Sequence, residues 1–388
     1  VMKRSVMALA AAAACSSGMA QVPPTPGVVL YGGVDGNVTR ASATGRGSIW
    51  QVRDGGMYVT KLGFTGREDL GGGWAASFVM ESQASSDTGL GSNTNTGNTP
   101  ATNSPPTGTP SGLNWNRKST VSLHSPLGEV RFGRDYTTTF VPTTYMDPFF
   151  SAGVASAVNL QVFYTQTVAP PPLVRASNMV GYYIPATWVP GLYAYAQVAA
   201  GEGTGARFTG VGSGYRKGPL LVSGAWGKTK GPLIGSSTTV GVPGAVTAAS
   251  TSGDNNLTVW SFGVSYAFGG FKPMFFYQSQ VMDRFGVAGG VTELDRQVDD
   301  WLVGFSWAIG ANTIKAAYST KNDKGLANVD PKQIGLGYSY HLSKRTAVYA
   351  NAVQIKNKNG GSYSFLAGYA PVANGTSRAI QAGLSHNF

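Results

Sequence analysis

The side chains most able to do chemistry here are isolated bases set into strands of small and apolar residues. In TKLGFTG, Lys61 is out of phase with Thr60, Leu62 and Phe64. In EVRFG, Arg131 opposes Val130 and Phe132, and in NTIKAAY Lys315 opposes Ile314 and Ala316. In RASNMVGYYI, Arg175 shares the parity of Gly181 and opposes Val180, Tyr182 and Ile184. Successive side chains of a β-strand point to opposite faces of its sheet, so each base leaves its strand on the face the apolar residues do not use. Fixed bases on a polar face can attract and sort anions.

Bond-making chemistry has little to stand on. His124, His341 and His386 are far apart and lack the spacing of metal ligands. Trp226-Gly227-Lys228-Thr229 resembles the end of a phosphate loop, but the earlier glycine such a loop needs is Val222, and the setting is a strand. GEGTG at Gly201 lacks a strand–helix context. No nucleophile with a base and an orienting partner emerges, and no cofactor or metal is expected. Asp35 and Glu81 fall on polar parities and read as hydrogen-bond partners for the bases.

The elements that must position the bases are legible in VWSFGVSYAF. Trp260, Phe262, Val264, Tyr266 and Phe268 take one parity; Ser261, Gly263, Ser265 and Ala267 take the other. The pattern recurs at Trp301–Trp307, Ile334–Leu342 and Ile380–Phe388. Charged residues are only 12% of the chain, about half the ~25% usual in soluble domains. Glycine supplies 54 of 388 residues, and mean hydropathy is close to zero. Past residue 15 no apolar run approaches the ~18 residues of a spanning helix. Strands that cross a membrane account for all of this, because their apolar and polar rows cancel in the average. The large rings then face lipid, and the serines and glycines line a wetted wall.

VMKRSVMALAAAAACSSGMAQ has a basic start at Lys3 and Arg4, a short apolar run and small residues around Ala20, which together predict an export signal over residues 1–20. Cys15, the sole cysteine, falls inside it without the large aliphatic residue that a lipidation site carries before it. Without Lys3 and Arg4 the chain has 27 basic and 18 acidic residues. They form no basic cluster, so nucleic acid is not the expected partner; a positively lined conduit or anionic lipid is.

Connections alternate in length. EDLGGG, SPLGE, PATWVPG, RKGP, FGGF, IGAN and LSKR are short, while the links between them are long, with low-complexity tracts over 85–114 and 230–256. Seven short turns and eight long loops predict sixteen strands, beginning near Val28, Met57, Trp74, Arg117, Glu129, Arg175, Gly191, Thr209, Pro219, Leu257, Phe271, Val298, Asn312, Gln333, Arg345 and Ser377. Tight turns at one end and long loops at the other are the asymmetry of an outer-membrane barrel.

VVLYGGVDGNV at Val28, TKLGFTGREDLGGGWAASFVMES at Thr60, NRKSTVSLHSPLGEVRFGRDYT at Asn116, YSYHLSKRTAVYANA at Tyr338 and the terminal GLSHNF resemble the general trimeric porins of Gram-negative outer membranes, especially their β-proteobacterial branch. The resemblance spans essentially all of residues 21–388. It implies an all-β, sixteen-stranded antiparallel transmembrane barrel, assembled as a homotrimer in lipopolysaccharide-containing outer membrane, with Phe388 as the signal read by the barrel assembly machinery. It also implies a third long loop folded inward to narrow the pore, here residues 136–174. That loop's six aromatic residues between Phe140 and Tyr164 suit packing inside a barrel.

In such porins, bases on the barrel wall face acids on the third loop. Lys61 matches a wall position usually held by arginine, Arg117 in NRKSTV matches another, and Arg175 matches more loosely. Arg131 and Lys315 are added from parity alone, while Arg134 should face outward unless a bulge intervenes. Asp147 is the only charged residue between Tyr136 and Val174 and is the expected loop acid. One acid against several bases leaves a positive constriction, whose low-dielectric walls focus the field. The expected activity is passive diffusion of small hydrophilic solutes with a preference for anions. The alternative is a substrate-specific channel with a defined binding track.

Overall fold

The computed structural model describes residues 26–91, 112–161, 173–202, 206–231, 256–287, 291–325, 328–366 and 368–388. The expected leader, with Cys15 and Ala20, lies outside these residues, as does most of both low-complexity tracts. Seventeen strand segments follow in order: β1 (Gly27–Ala43), β2 (Gly47–Asp54), β3 (Lys61–Gly71), β4 (Trp74–Gln83), β5 (Lys118–Ser125), β6 (Gly128–Tyr136), β7 (Arg175–Tyr183), β8 (Leu192–Ala199) and β9 (Arg207–Lys217). They continue with β10 (Leu220–Lys230), β11 (Asn256–Tyr266), β12 (Phe271–Val287), β13 (Val291–Ile309), β14 (Asn312–Asp323), β15 (Lys332–His341), β16 (Thr346–Lys356) and β17 (Thr376–Asn387). Two short helices, α1 (Phe140–Met146) and α2 (Val158–Gln161), lie between β6 and β7.

The sheet closes on itself. From β3 onward each strand pairs antiparallel with the next, and β1 pairs with β17 on one side and with β2 and β3 on the other. β2 and β3 lie end to end along β1, opposite Gly36–Ala43 and Gly27–Gly33 respectively, so together they fill one strand position. The result is a closed sixteen-strand antiparallel barrel. Closure leaves no sheet edge unpaired, which a bilayer interior demands. Phe388 completes the seam, exchanging backbone hydrogen bonds with Gly32 at 3.2 and 3.1 Å.

The second strand departs from expectation. Instead of beginning near Met57, it starts at Gly47, breaks over residues 55–60 and resumes at Lys61. The break is held by Asp35, whose carboxylate accepts N–H bonds from Gly56, Met57 and Tyr58 at 2.8, 3.0 and 3.1 Å and the Tyr349 hydroxyl at 2.5 Å. Asp35 is therefore an anchor for this segment, where partnership with a wall base was expected. The thirteenth segment begins at Val291, seven residues ahead of the expected Val298.

The rings of β11 face outward: Trp260 is 44% and Phe262 43% exposed, against 4% for Ser261 and 2% for Ser265. Outward rings touch from strand to strand, as Trp260–Tyr277 (4.8 Å between centroids) and Tyr277–Trp301 (4.3 Å). An exposed apolar belt of this extent matches hydrocarbon as its solvent.

The inward face is not simply a wetted wall. The chain after Tyr136 turns into the barrel and packs there. Met146 and Ala157 join Leu221, Phe276 and Leu302 in one apolar cluster, while Phe149, Val154, Ala155 and Leu160 join Ala317, Val353, Ile355 and Ala379 in another. Small inward residues on the strands make room for this loop. A Cβ at Gly263 would collide with Met146, and one at Gly335 would come within 2.9 Å of Ala155 Cβ. Ser261 and Ser265 are covered accordingly.

Candidate functional site: a basic constriction

Between the packed loop and the opposite wall an open cavity remains. Lys61, Arg117, Arg175 and Lys315 line it, together with Arg216, Lys272, Lys344 and Arg345. Tyr58, Tyr136, Tyr145 and Phe150 supply aromatic lining. No aspartate or glutamate is among the described residues that line it.

Strand pairing builds the narrow part. Lys61 opens β3, its inward parity fixed by the pairing with β4, which places it beside Gln83 and near Glu81. Glu81 is fully buried and binds Lys61 Nζ at 2.8 Å and Arg117 Nε at 2.5 Å, and it accepts the Tyr31 hydroxyl at 3.1 Å. A buried carboxylate is tolerated only when its oxygens are satisfied in this way. Glu81 lies in the wall with the bases, so it cancels one of two charges and sets up no opposed negative pole. Lys61 Nζ also lies 5.7 and 5.2 Å from the ring centroids of Tyr31 and Tyr58, a favourable placement for a cation.

Arg117 and Arg175 converge on Tyr136. Their Nη2 atoms donate to the Tyr136 hydroxyl at 2.7 and 2.8 Å, and the Arg175 guanidinium lies 4.5 Å from the centroid of the Tyr136 ring. Arg175 has no carboxylate partner among the described residues. Lys315 rests over Phe149 and Phe150 at 5.9 and 5.3 Å, and Arg216 over Tyr145 at 5.0 Å. Rings of the inserted loop thus support bases of the wall.

The other expected residues sit elsewhere. Arg131 points inward but is consumed by Glu129 at 2.8 Å and Asp135 at 2.5 Å, and Asp135 also binds Lys118 at 2.9 Å. This closed ion-pair cluster does not line the cavity. Arg134 lies beside a bulge: β6–β7 pairing shifts between Gly133 and Asp135, and Asn178 opposite takes φ +56°. Its guanidinium donates to the Asn116 carbonyl at 2.6 Å and Ser177 Oγ at 3.0 Å.

Asp147, expected as the acid facing the bases, is turned into its own loop. It is fully buried and accepts the N–H groups of Phe149, Ser151 and Ala157 at 2.9, 3.0 and 2.9 Å and Ser156 Oγ at 3.2 Å. Burial pushes its carboxyl above the usual range even against those bonds. The reason for the misplacement is local. Phe150 and Ser151 take left-handed φ values of +53° and +59°; the first turns the Ser151 N–H toward the carboxylate, and the Ala152 N–H that follows bonds the Phe149 carbonyl and tightens the turn around it.

Arg216, Lys272, Lys344 and Arg345 are not among the bases that the sequence assigns to the pore, and His341 is read there only as an isolated histidine. Lys344 and Arg345 stand in the turn LSKR, where parity gives no direction, whereas Arg216, Lys272 and His341 lie at the turn-side ends of β9, β12 and β15, where the strand alternation still runs. The available signal was that three of the short turns, all at the same barrel end, carry or adjoin bases.

Comparison with known proteins agrees with this architecture. The chain is 31% identical over 399 residues to outer membrane porin protein 32 of Delftia acidovorans, covering all of both sequences. Its fold matches an anion-selective porin from Comamonas acidovorans with a TM-score of 0.74 at 27% identity, covering 94% of this chain and all of the other. OmpT of Vibrio cholerae, in a trimer form, shares the fold at a TM-score of 0.61 and 14% identity over 94% of this chain and all of the other. The description of Gram-negative porins matches residues 7–360. A closed barrel, a loop packed in its lumen and this full-length kinship place the chain in the Gram-negative porin family, a family of outer-membrane channels and not an enzyme class.

Proposed function

We propose that this porin passes small hydrophilic solutes by diffusion and prefers anions, and that Lys61, Arg117, Arg175 and Lys315 set the preference. The observation that carries the reading is a cavity lined by bases with no carboxylate among its described lining residues. In a narrow passage with low-dielectric walls such uncancelled charges raise the local concentration of counter-ions. A relative being an anion-selective porin supports the same reading. The cavity's aromatic lining favours a second one, a channel holding a particular solute class.

We infer further that the chain works as a homotrimer. Outward rings crowd β11 to β15, whereas the outward rows of β16, β17 and β1 are aliphatic or small along their middle, at Val348, Ile380, Leu384, Val34 and Val38, with Arg40 and Arg378 toward the loop end. Aromatic residues belong at a lipid interface, and a smooth aliphatic face suits a neighbouring protomer. The exposed ring of Phe388 at the barrel seam is available to the assembly machinery.

Planar-bilayer recording tests this. Replacing chloride with gluconate should cut conductance far more than replacing potassium with a bulky organic cation. Conductance should rise linearly with salt and close in three equal steps. Saturation and block by one solute class would favour the second reading, and a larger loss on changing the cation would refute the anion preference.

A further inference from the structure

Tyr136 occupies an unusual position in the constriction. Its oxygen receives two guanidinium hydrogen bonds, from Arg117 and from Arg175. A phenol oxygen has two lone pairs and one proton, so two donated bonds leave it no acceptor capacity. Its proton has no acceptor in the hydrogen bonds of the described residues. The nearby carboxylate of Glu81 is already engaged by Lys61, Arg117 and Tyr31. The ring is held as firmly as the hydroxyl, stacked on Phe140 at 5.5 Å and 16° and covered by the Arg175 guanidinium. Tyr136 nonetheless lines the cavity.

Resting on the anion preference proposed above, we infer that Tyr136 is a specificity-determining residue of the pore, a fixed hydroxyl that can only donate, and that it favours anions able to accept a hydrogen bond, carboxylates and phosphates above all. The two arginines play a double part. They supply positive charge, which acts on any anion alike. By occupying the phenol oxygen they also aim its proton at the passing ion, which acts only on good acceptors. Arg117 is spread over Glu81, Gln83 and Tyr136, so the hydroxyl offers an acceptor a directed bond that this guanidinium has already spent.

The experiment compares formate with nitrate, two planar monovalent oxyanions of similar size but unequal acceptor strength, by bi-ionic reversal potential. Ease of dehydration alone favours nitrate. In the wild-type channel the donor should bring formate level with nitrate or ahead of it. In Tyr136→Phe the formate-to-nitrate ratio should fall about threefold or more, as expected for losing one bond from a neutral donor to a charged acceptor. The chloride-to-potassium ratio should stay as it was, because every base is retained. A wild-type channel that strongly favours nitrate would overturn the inference without any variant. So would a formate-to-nitrate ratio that Tyr136→Phe leaves in place, or that changes only in step with the chloride-to-potassium ratio. A cation-selective wild type would instead overturn the underlying anion preference.

Discussion

Arg175→Glu should lower the anion-to-cation permeability ratio about a hundredfold in dilute salt, since a change of two charge units ~5 Å from an ion in water-like dielectric costs an anion about 1.7 kcal/mol and favours a cation by as much. Arg175 is the most sensitive position because it has no carboxylate partner among the described residues to dilute the change, unlike Lys61 and Arg117, which share Glu81. A glutamate there would still find donors in the Tyr136 hydroxyl and Arg117, so the barrel should assemble. The effect should shrink as salt is raised, since the screening length falls from ~10 Å at 0.1 M to ~3 Å at 1 M. Arg131→Gln provides the contrast. Its charge is already met by Glu129 and Asp135 away from the cavity, so reversal potentials should barely move. Comparable shifts from both substitutions would show that bulk lumenal charge, and no particular site, sets selectivity.

Opening of the channel is the expected result of Asp147→Ala. The carboxylate satisfies three buried N–H groups and one hydroxyl, and each buried donor left without a partner costs roughly 1–3 kcal/mol. The loop segment over residues 147–157 should then loosen from the apolar clusters around Met146 and Phe149. Single-channel conductance should rise and become noisy, while the sign of the reversal potential holds because the bases remain. Asp147→Asn keeps one acceptor oxygen and should show a weaker form of the same change. Were Asp147 instead a negative pole facing the ions, Asp147→Asn would leave conductance quiet and strengthen anion preference. Those outcomes are opposite, so one recording separates a loop clamp from an electrostatic partner.

Where alternation was strict, sequence carried the structure far. The outward rings of β11 and the inward direction of Lys61 and Lys315 follow from a period of two, and the number of barrel strands from the alternation of short and long connections. It failed where the backbone leaves that period. The second strand is split over residues 55–60 because Asp35, distant in sequence, gathers the N–H groups of Gly56, Met57 and Tyr58. The loop acid faces its own loop because the backbone folds round it, with a left-handed turn at Phe150 and Ser151 that nothing in their side chains announces, and brings it the N–H groups of Phe149, Ser151 and Ala157. Lys344 and Arg345 reach the cavity from the turn LSKR, where no parity exists, and Arg216 reaches it from the turn-side end of β9. Parity also says which face a base takes without saying what neutralises it. Arg131 and Arg175 look alike along the chain, yet Asp135 lies beside one and Tyr136 beside the other. The small inward residues were legible as small, but their purpose depends on a loop more than a hundred residues earlier, whose Met146 fills the space that Gly263 leaves.

Bases without an opposed acid are proposed above to give this porin a preference for anions. The most direct test is the zero-current potential of the wild-type channel across a gradient of potassium chloride in dilute buffer. The expected potential has the sign set by chloride moving down its gradient and shrinks toward zero as both solutions are made concentrated. A potential of the opposite sign, or one that stays at zero in dilute salt, would contradict it.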